Sequence, residues 1–249
     1  MNKNVPNSIS TNARERICLA LDMLHSDEIL RIVDQMHEFI GYFKLNFAFT
    51  RFGPQLIESI LKYNVKIFLD LKMHDIPNTI SGYVEAVTDL GVHIVTVHTA
   101  GGMDMMKTIS ETAKNISAKS NRIPPKFIGV TILTNIDKKI LNDQMKISGE
   151  IKDEVIRRVN MAMDSGLDGI VCSPVELSEI RNEIPDNCFC ITPGVRSVKT
   201  NINDHKRVAT FTDAIKAGSD LLVIGRDLLS SNNPIDYVKS VHEEILRGD

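Results

Sequence analysis

Cysteine is scarce in this chain: 4 of 249 residues, at positions 18, 172, 188 and 190. All four lie inside apolar runs, which excludes a disulfide framework of the kind that staples small secreted domains. Long apolar runs are missing as well. The longest, 127–133, is strand-sized and far short of the ~18 residues a membrane helix requires, so no membrane partner is expected. A basic excess is also missing. Lys+Arg total 29 against 32 Asp+Glu, a formal charge of -3, and no basic cluster marks a dedicated nucleic-acid binder. A signal peptide is absent from residues 1–13, which are rich in Asn, Ser and Thr and lack an apolar centre. They read as a mobile tail on a cytoplasmic chain with reduced cysteines. No stretch has the character of a linker. The most polar interior segment, 117–125, is too short and too soon followed by a strand to divide two domains. One domain, 14–249, is expected.

What the chain does have is ordinary globular composition, 43% hydrophobic and 24% charged, arranged as a repeat of short strands and amphipathic segments. β-Branched and aliphatic runs occur at 17–21, 42–46, 65–71, 93–97, 127–132, 169–172, 188–192 and 221–224. Between them lie helical stripes, such as Ile29, Ile32, Val33 and Met36, or Val155, Val159, Met161 and Met163. Ser26, followed by Asp27 and Glu28, reads as a helix start. Gly91, Gly166 and Gly218 each stand between a helical stretch and a strand, as helix-stopping glycines do. Eight β/α units in a chain of this length fit a (β/α)8 TIM barrel. The structural alternative, a doubly wound open sheet, places a glycine-rich turn after its first strand. Here that strand runs into Leu21-Asp22-Met23, without a glycine.

Barrel active sites gather at the C-terminal ends of the strands. Strand one ends in Asp22, strand two carries Lys44 and Asn46, and strand three ends in Asp70-Leu-Lys72-Met-His-Asp75. Strand four ends in His98, five in Thr131 and Thr134, and six in Ser173. Residues two apart on a strand share a face, so Asp70 and Lys72 are expected to point together into the barrel mouth. Isolated ions there would be costly, so Lys44, Lys72, Asp70, Asp75 and Asp22 should pair. A structural salt-bridge network is the alternative reading, and the location of every member at the catalytic end favours chemistry. The last two strands end in Thr192-Pro-Gly-Val-Arg196 and Gly225-Arg226. Glycines let backbone N–H groups approach an anion and arginine grips it with two hydrogen bonds, so these loops predict a phosphate site. No metal site is predicted. His93 and His98 are five apart and face opposite ways on a continuous strand, and Cys188 and Cys190 read as small core residues. His74 reads as a polar neighbour of the charged cluster, and His25, His37 and His242 as solvent-facing helix residues.

The string Leu69-Asp-Leu-Lys-Met-His-Asp-Ile-Pro-Asn-Thr79 resembles the signature of the orotidine 5'-phosphate decarboxylase family, Asp-x-Lys-x-x-Asp-Ile-Pro-Asn-Thr. The resemblance covers nearly all of the chain after the tail, through Leu19-Ala-Leu-Asp22, Lys44, Val97-His-Thr-Ala-Gly-Gly102, Val130-Thr-Ile-Leu-Thr134, Asp204-His-Lys-Arg-Val208 and Val223-Ile-Gly-Arg226. It implies a (β/α)8 barrel that works as a homodimer without metal or organic cofactor. The implied reaction converts orotidine 5'-phosphate to uridine 5'-phosphate and CO2, the last step in making UMP. By the same resemblance Lys72 protonates C6 of the pyrimidine, and Lys44, Asp70 and Asp75 complete the charged array. Asp22 and Lys44 hold the ribose hydroxyls. Asp75, Ile76 and Thr79 serve the neighbouring subunit's site. Thr134 touches the pyrimidine, Pro193 lines the substrate, Arg196 stands in a mobile loop, and Gly225 and Arg226 bind phosphate.

The chain departs from the family at Asp204-His205, where Asp-Gln is usual, and its loop carries Lys199, Thr200 and Asn203 in place of the usual glycines. His205 is expected to take over the phosphate contact, as a donor of one hydrogen bond when neutral and two when charged. Two other functions compete. One is a magnesium-dependent sugar-phosphate decarboxylase or aldolase with the same Asp-x-Lys-x-x-Asp core, a class that lacks Ile-Pro-Asn-Thr. The other is a catalytically silent nucleotide-binding barrel, which would have no reason to keep both lysines and both aspartates.

Overall fold

Parallel strands buried on both faces are written as nearly continuous Val, Ile and Leu runs, and each such run of this chain becomes a strand. The computed structural model describes residues 11–23, 25–196 and 209–248, with nothing said of the side chains of residues 11 and 12. Among the described residues eight strands close into one barrel in sequence order: β1 (Ile17–Ala20), β2 (Tyr42–Leu45), β3 (Lys66–Met73), β4 (Ile94–His98), β5 (Lys126–Val130), β6 (Gly169–Val171), β7 (Phe189–Pro193) and β8 (Leu221–Ile224). Every neighbouring pair is parallel, and the last strand returns to the first with Ile17 opposite Leu222 and Leu19 opposite Ile224. This is the (β/α)8 TIM barrel expected from the alternation. Each strand lies within two residues of its predicted bounds.

Helices cover the outside. In chain order they are α1 (Thr11–Glu15), α2 (Ser26–Met36), α3 (Phe47–Phe52), α4 (Pro54–Leu61), α5 (Pro77–Asp89), α6 (Gly102–Lys119), α7 (Ile151–Asp164), α8 (Pro174–Ile180), α9 (Phe211–Lys216), α10 (Arg226–Leu229) and α11 (Pro234–Gly248). The stripe Ile29, Ile32, Val33 and Met36 of α2 is buried against the sheet, as its spacing predicts. Burial of each such side chain stabilises the fold by roughly 1.5–3 kcal/mol before chain entropy is counted. Gly91, Gly166 and Gly218 end their helices with φ of 66°, 79° and 90°, a region L side chains adopt only at a cost. Gly169 is required for another reason. A Cβ there would lie 2.0 Å from the Phe189 carbonyl oxygen, where β6 and β7 pair.

Strand alternation separates two apolar layers. Ile17, Leu19, Phe43, Ile67 and Val95 face the helices, whereas Cys18, Ala20, Phe68, Ile94, Ile128, Ile191, Leu221 and Val223 fill the barrel interior. The interior is therefore a packed floor, and polar side chains above it at the C-terminal mouth have no route but upward, into the cavity. Among the described residues no helix is long and apolar enough to cross a membrane.

Two expectations need correction. Residues 11–13, assigned to the tail, belong to α1, and Ala13 is fully buried against the core; residues 1–10 lie outside the described residues. His242 on α11, expected to face solvent, is buried, with its Nε2 at 2.8 Å from the Phe39 carbonyl oxygen. Burial holds its imidazole below the usual histidine range despite that hydrogen bond, so the ring is neutral and donates from Nε2.

Candidate active site

A cavity of about 390 Å³ opens above the interior floor. Ala20, Phe68, Ile191 and Val223 form its base, and Asp22, Lys44, Asp70, Lys72, Thr134, Pro193, Gly194, Arg196, Gly225, Arg226 and Asp227 reach it from the strand ends. Nine residues singled out from the sequence thus meet in one place: Asp22, Lys44, Asp70, Lys72, Thr134, Pro193, Arg196, Gly225 and Arg226.

Asp70 is the centre of the charged set. Lys72 Nζ donates to both of its carboxylate oxygens at 2.8 Å. Lys44 Nζ stands 3.4 Å from Asp70 Oδ2 and 3.6 Å from Asp22 Oδ1. The Thr96 hydroxyl donates to Asp70 Oδ1 at 2.8 Å. Burial opposes ionisation of Asp70, but the charges of Lys44 and Lys72 and the hydrogen bonds from Lys72 and Thr96 outweigh it and hold the carboxyl below its usual range. The set is asymmetric. The side chain of Asp70 is 11% exposed and that of Lys72 34%, so the carboxylate is sunk in the wall and the ammonium faces the cavity.

The approach of Lys72 to Asp70 does not come from strand alternation alone. The β3–β4 ladder pairs Leu69 with Val95 and next Met73 with Val97. Residues 70–72 therefore bulge opposite Thr96, and Lys72 takes a left-handed φ of 49°. Strain of this kind, in a residue with a long side chain, is characteristic of sites where the backbone aims a functional group. Beyond the bulge, Asp75 Oδ1 accepts the Ile76 N–H at 2.7 Å, and Pro77, with its preset φ, opens α5.

Asp75, Ile76 and Thr79 are exposed and do not line the cavity, with Ile76 66% accessible. His205 lies outside the described residues, together with the rest of 197–208. The two ends of that segment are tied: the Arg196 N–H donates to the Ala209 carbonyl at 3.2 Å, and Arg196 bridges Thr210. Arg196 Nε also stands 3.3 Å from Asp227 Oδ2. Gly225 and Arg226 open α10 beside it.

Several polar strand-end residues do other work. Thr131 is buried and its hydroxyl donates to the Val171 carbonyl at 3.1 Å. Ser173 caps α8 in a reciprocal capping box with Glu176. His98 accepts the Ala100 N–H on Nδ1 at 3.2 Å and stacks on His74 with ring centroids 5.8 Å apart. Burial, then the nearby Arg158 charge, keeps His98 neutral by lowering its basicity. Asn46 precedes α3 and does not line the cavity. Among the described residues no three His, Cys, Asp or Glu side chains are arranged to hold a metal ion.

Two members of the site were missed in the sequence. Thr96 shares its strand face with Ile94 and His98, and a hydroxyl inside an aliphatic strand was a usable signal. Asp227 follows Gly225-Arg226 directly, and a carboxylate beside an expected anion site was another.

Comparison with known proteins finds relatives along nearly the whole chain. Residues 15–241 match the model of the "Orotidine 5'-phosphate decarboxylase / HUMPS family". The chain is 37% identical over 235 residues to orotidine 5'-phosphate decarboxylase of Prochlorococcus marinus (strain NATL2A), covering 94% of this chain and 97% of that one. It is 38% identical over 231 residues to the enzyme of that name from Haemophilus influenzae (strain ATCC 51907 / DSM 11121 / KW20 / Rd), covering 92% and 98%. Its fold is similar to the crystal structure of orotidine 5'-phosphate decarboxylase from Lactobacillus acidophilus, with a TM-score of 0.80 at 29% identity over 93% of this chain and 99% of that one.

Proposed function

The chain belongs to the orotidine 5'-phosphate decarboxylase / HUMPS family, and we propose that the array of Asp22, Lys44, Asp70 and Lys72 performs its chemistry. The reaction is decarboxylation of orotidine 5'-phosphate to uridine 5'-phosphate and CO2 in pyrimidine biosynthesis. The observation that carries the residue-level reading is the convergence of two ammonium groups on one buried carboxylate, in the wall of a cavity that Arg196, Gly225 and Arg226 also line.

The bond between C6 and its carboxylate breaks and leaves the electron pair on C6, in a ring without an adjacent electron sink. A preorganised positive charge stabilises such an anion far better inside a cavity than in water, because it needs no reorganisation. Lys72 supplies that charge and then its proton to C6; the amine left behind is reprotonated from water. Asp70 holds Lys72 in place through two hydrogen bonds, and Lys44 prevents the carboxylate from cancelling that charge. Asp22 and Lys44 hold the ribose hydroxyls, Thr134 contacts the pyrimidine, and Pro193 lines the substrate. Arg196, Gly225 and Arg226 take the phosphate, with His205 as a further donor. Phosphate is remote from the bond that breaks, so its binding energy contributes by closing the site over the ring.

Asp75, Ile76 and Thr79 reach the site of a second copy in a cytoplasmic homodimer, with the chain from α1 onward as the catalytic domain. A 66%-exposed isoleucine beside an exposed carboxylate supports that reading, since a large apolar side chain just past the strand that carries Asp70 and Lys72 is better placed against a neighbour than in water. The test of the whole is direct. Purified protein is mixed with orotidine 5'-phosphate and loss of ultraviolet absorbance is followed with and without EDTA. Turnover that is unchanged by the chelator is expected. Absence of turnover by folded protein refutes the decarboxylase reading, and loss with EDTA counts against a reaction that needs no metal.

A further inference from the structure

The bulge that aims Lys72 leaves its backbone N–H without a ladder partner, because residues 70–72 stand opposite the single residue Thr96. Buried or half-buried N–H groups are seldom left unpaired. Here the Thr96 side chain takes the place of the missing strand carbonyl: its Oγ1 accepts the Lys72 N–H at 2.9 Å. The same oxygen donates its one proton to Asp70 Oδ1 at 2.8 Å. A hydroxyl that accepts from an N–H must send its proton elsewhere, and an ionised carboxylate is the acceptor it meets. Thr96 is 1% exposed and does not line the cavity, so it has no direct access to a substrate.

We infer that Thr96 is a positioning residue for the decarboxylation. One hydroxyl clamps the left-handed backbone that carries Lys72 and the carboxylate that receives the Lys72 ammonium, and so fixes the ion pair from both sides. The inference rests on the reading of Lys72 as proton donor. A threonine that merely filled space in β4 would be replaceable by valine without effect on turnover. A clamp would not be, because displacement of a reacting group by about 1 Å is enough to cost on the order of a hundredfold in rate.

Four variants test it: Thr96→Val, which keeps the shape and removes the hydroxyl, Thr96→Ser, which keeps the hydroxyl, Thr96→Cys, and Lys72→Ala. In Thr96→Val, kcat is expected to fall about 10- to 100-fold, with KM and inhibition by uridine 5'-phosphate within threefold of the parent. Thr96→Ser should recover kcat to within about threefold, and Thr96→Cys, a weak donor, should fall between. The cysteine variant gives the same reading if the valine variant does not fold. Parent-like kcat in the valine or cysteine variant overturns the inference, as does a serine variant no better than valine, or a loss confined to KM. Lys72→Ala separates the two levels. If it turns over normally, the Lys72 reading and the Thr96 inference both fail. If it is inactive while Thr96→Val is normal, the Thr96 inference alone fails.

Discussion

Two buried carboxylates in this barrel each hold two basic side chains, and their surroundings give them opposite uses. Asp70 lies inside the mouth with Lys44 and Lys72. Glu154 lies outside the barrel, in the first turn of α7, where Arg158 Nε donates to Oε1 at 2.6 Å and Arg157 grips both oxygens at 2.7 Å. In both, burial opposes ionisation and the basic partners prevail, so both carboxyls are held below their usual range. The difference lies in the cations. Arg158 is buried, and Nη1 spends a further hydrogen bond on the Thr131 carbonyl at 2.9 Å. Arg158 is thereby shut away, and it ties α7 to the end of β5. Lys72 is one-third exposed toward the cavity, and Lys44 stands at 3.4 Å from Asp70. That set keeps donor capacity for a ligand. Buried charge alone does not mark an active site; buried charge with unspent donors facing a cavity does.

If this contrast holds, substitutions in the two sets must separate activity from stability. The largest effect is expected for Lys72→Ala: loss of both the proton donor and the electrostatic partner should lower kcat by about 10⁴-fold or more. The melting temperature should stay close to the parent value. Orotidine 5'-phosphate turnover and a thermal melt measure the two, and turnover within tenfold of the parent would sink the assignment. Glu154→Gln should show the reverse. Removing one partner of a buried ion pair leaves Arg158 uncompensated, at a cost of about 3–5 kcal/mol. This is readable by urea unfolding, while kcat of the folded enzyme should change less than tenfold. A stable Glu154→Gln protein with crippled turnover would erase the distinction.

The smallest effect concerns pH. With its native pKa below the ordinary aspartate value of about 3.9, Asp70 binds a proton in the unfolded chain that it does not bind in the folded one between those two values. Its contribution to stability is therefore complete above the ordinary value and is lost as pH falls through the native value. Asp70→Asn has no such group. The parent's melting temperature should fall relative to that of Asp70→Asn as pH is lowered from 5 toward 3. Curves that run parallel would mean the ion pairs are no stronger in the folded state than in the unfolded one.

The sequence announced the barrel because local signals and the global fold agree: strand runs, apolar stripes and the stops at Gly91, Gly166 and Gly218 all say the same thing. Asp22, Lys44, Asp70 and Lys72 were legible for a related reason, since strand ends of a barrel converge whatever the details of register. What register decides was not legible. The role of Thr96 depends on a bulge that pairs Leu69 with Val95 and Met73 with Val97, and alternation alone does not announce a bulge. Glu154 and Arg158 have the spacing of an ordinary solvated helix pair, and only the docking of α7 buries them. His242 was misread because an amphipathic helix does not say which of its polar residues has a carbonyl waiting beneath it. The roles given to Asp75, Ile76 and Thr79 depend on a second copy, and His205 lies outside the described residues.

The closure of the sheet has a consequence for how the enzyme comes into being. β1 leaves the ribosome before all the other strands, but the partner for its free edge is β8, the last of them in the chain. While β2 to β7 are made, β1 must wait with one row of backbone groups unpaired, the condition in which strands are captured by wrong partners. The seam where the two finally meet is also where Asp22, Gly225 and Arg226 enter the cavity. The ribose and phosphate ends of the proposed site thus depend on a contact between distant parts of the chain, the kind that is slow to form. Turnover would then report on completed folding, and a chain ending before β8 could carry the whole Asp70–Lys72 bulge yet be silent.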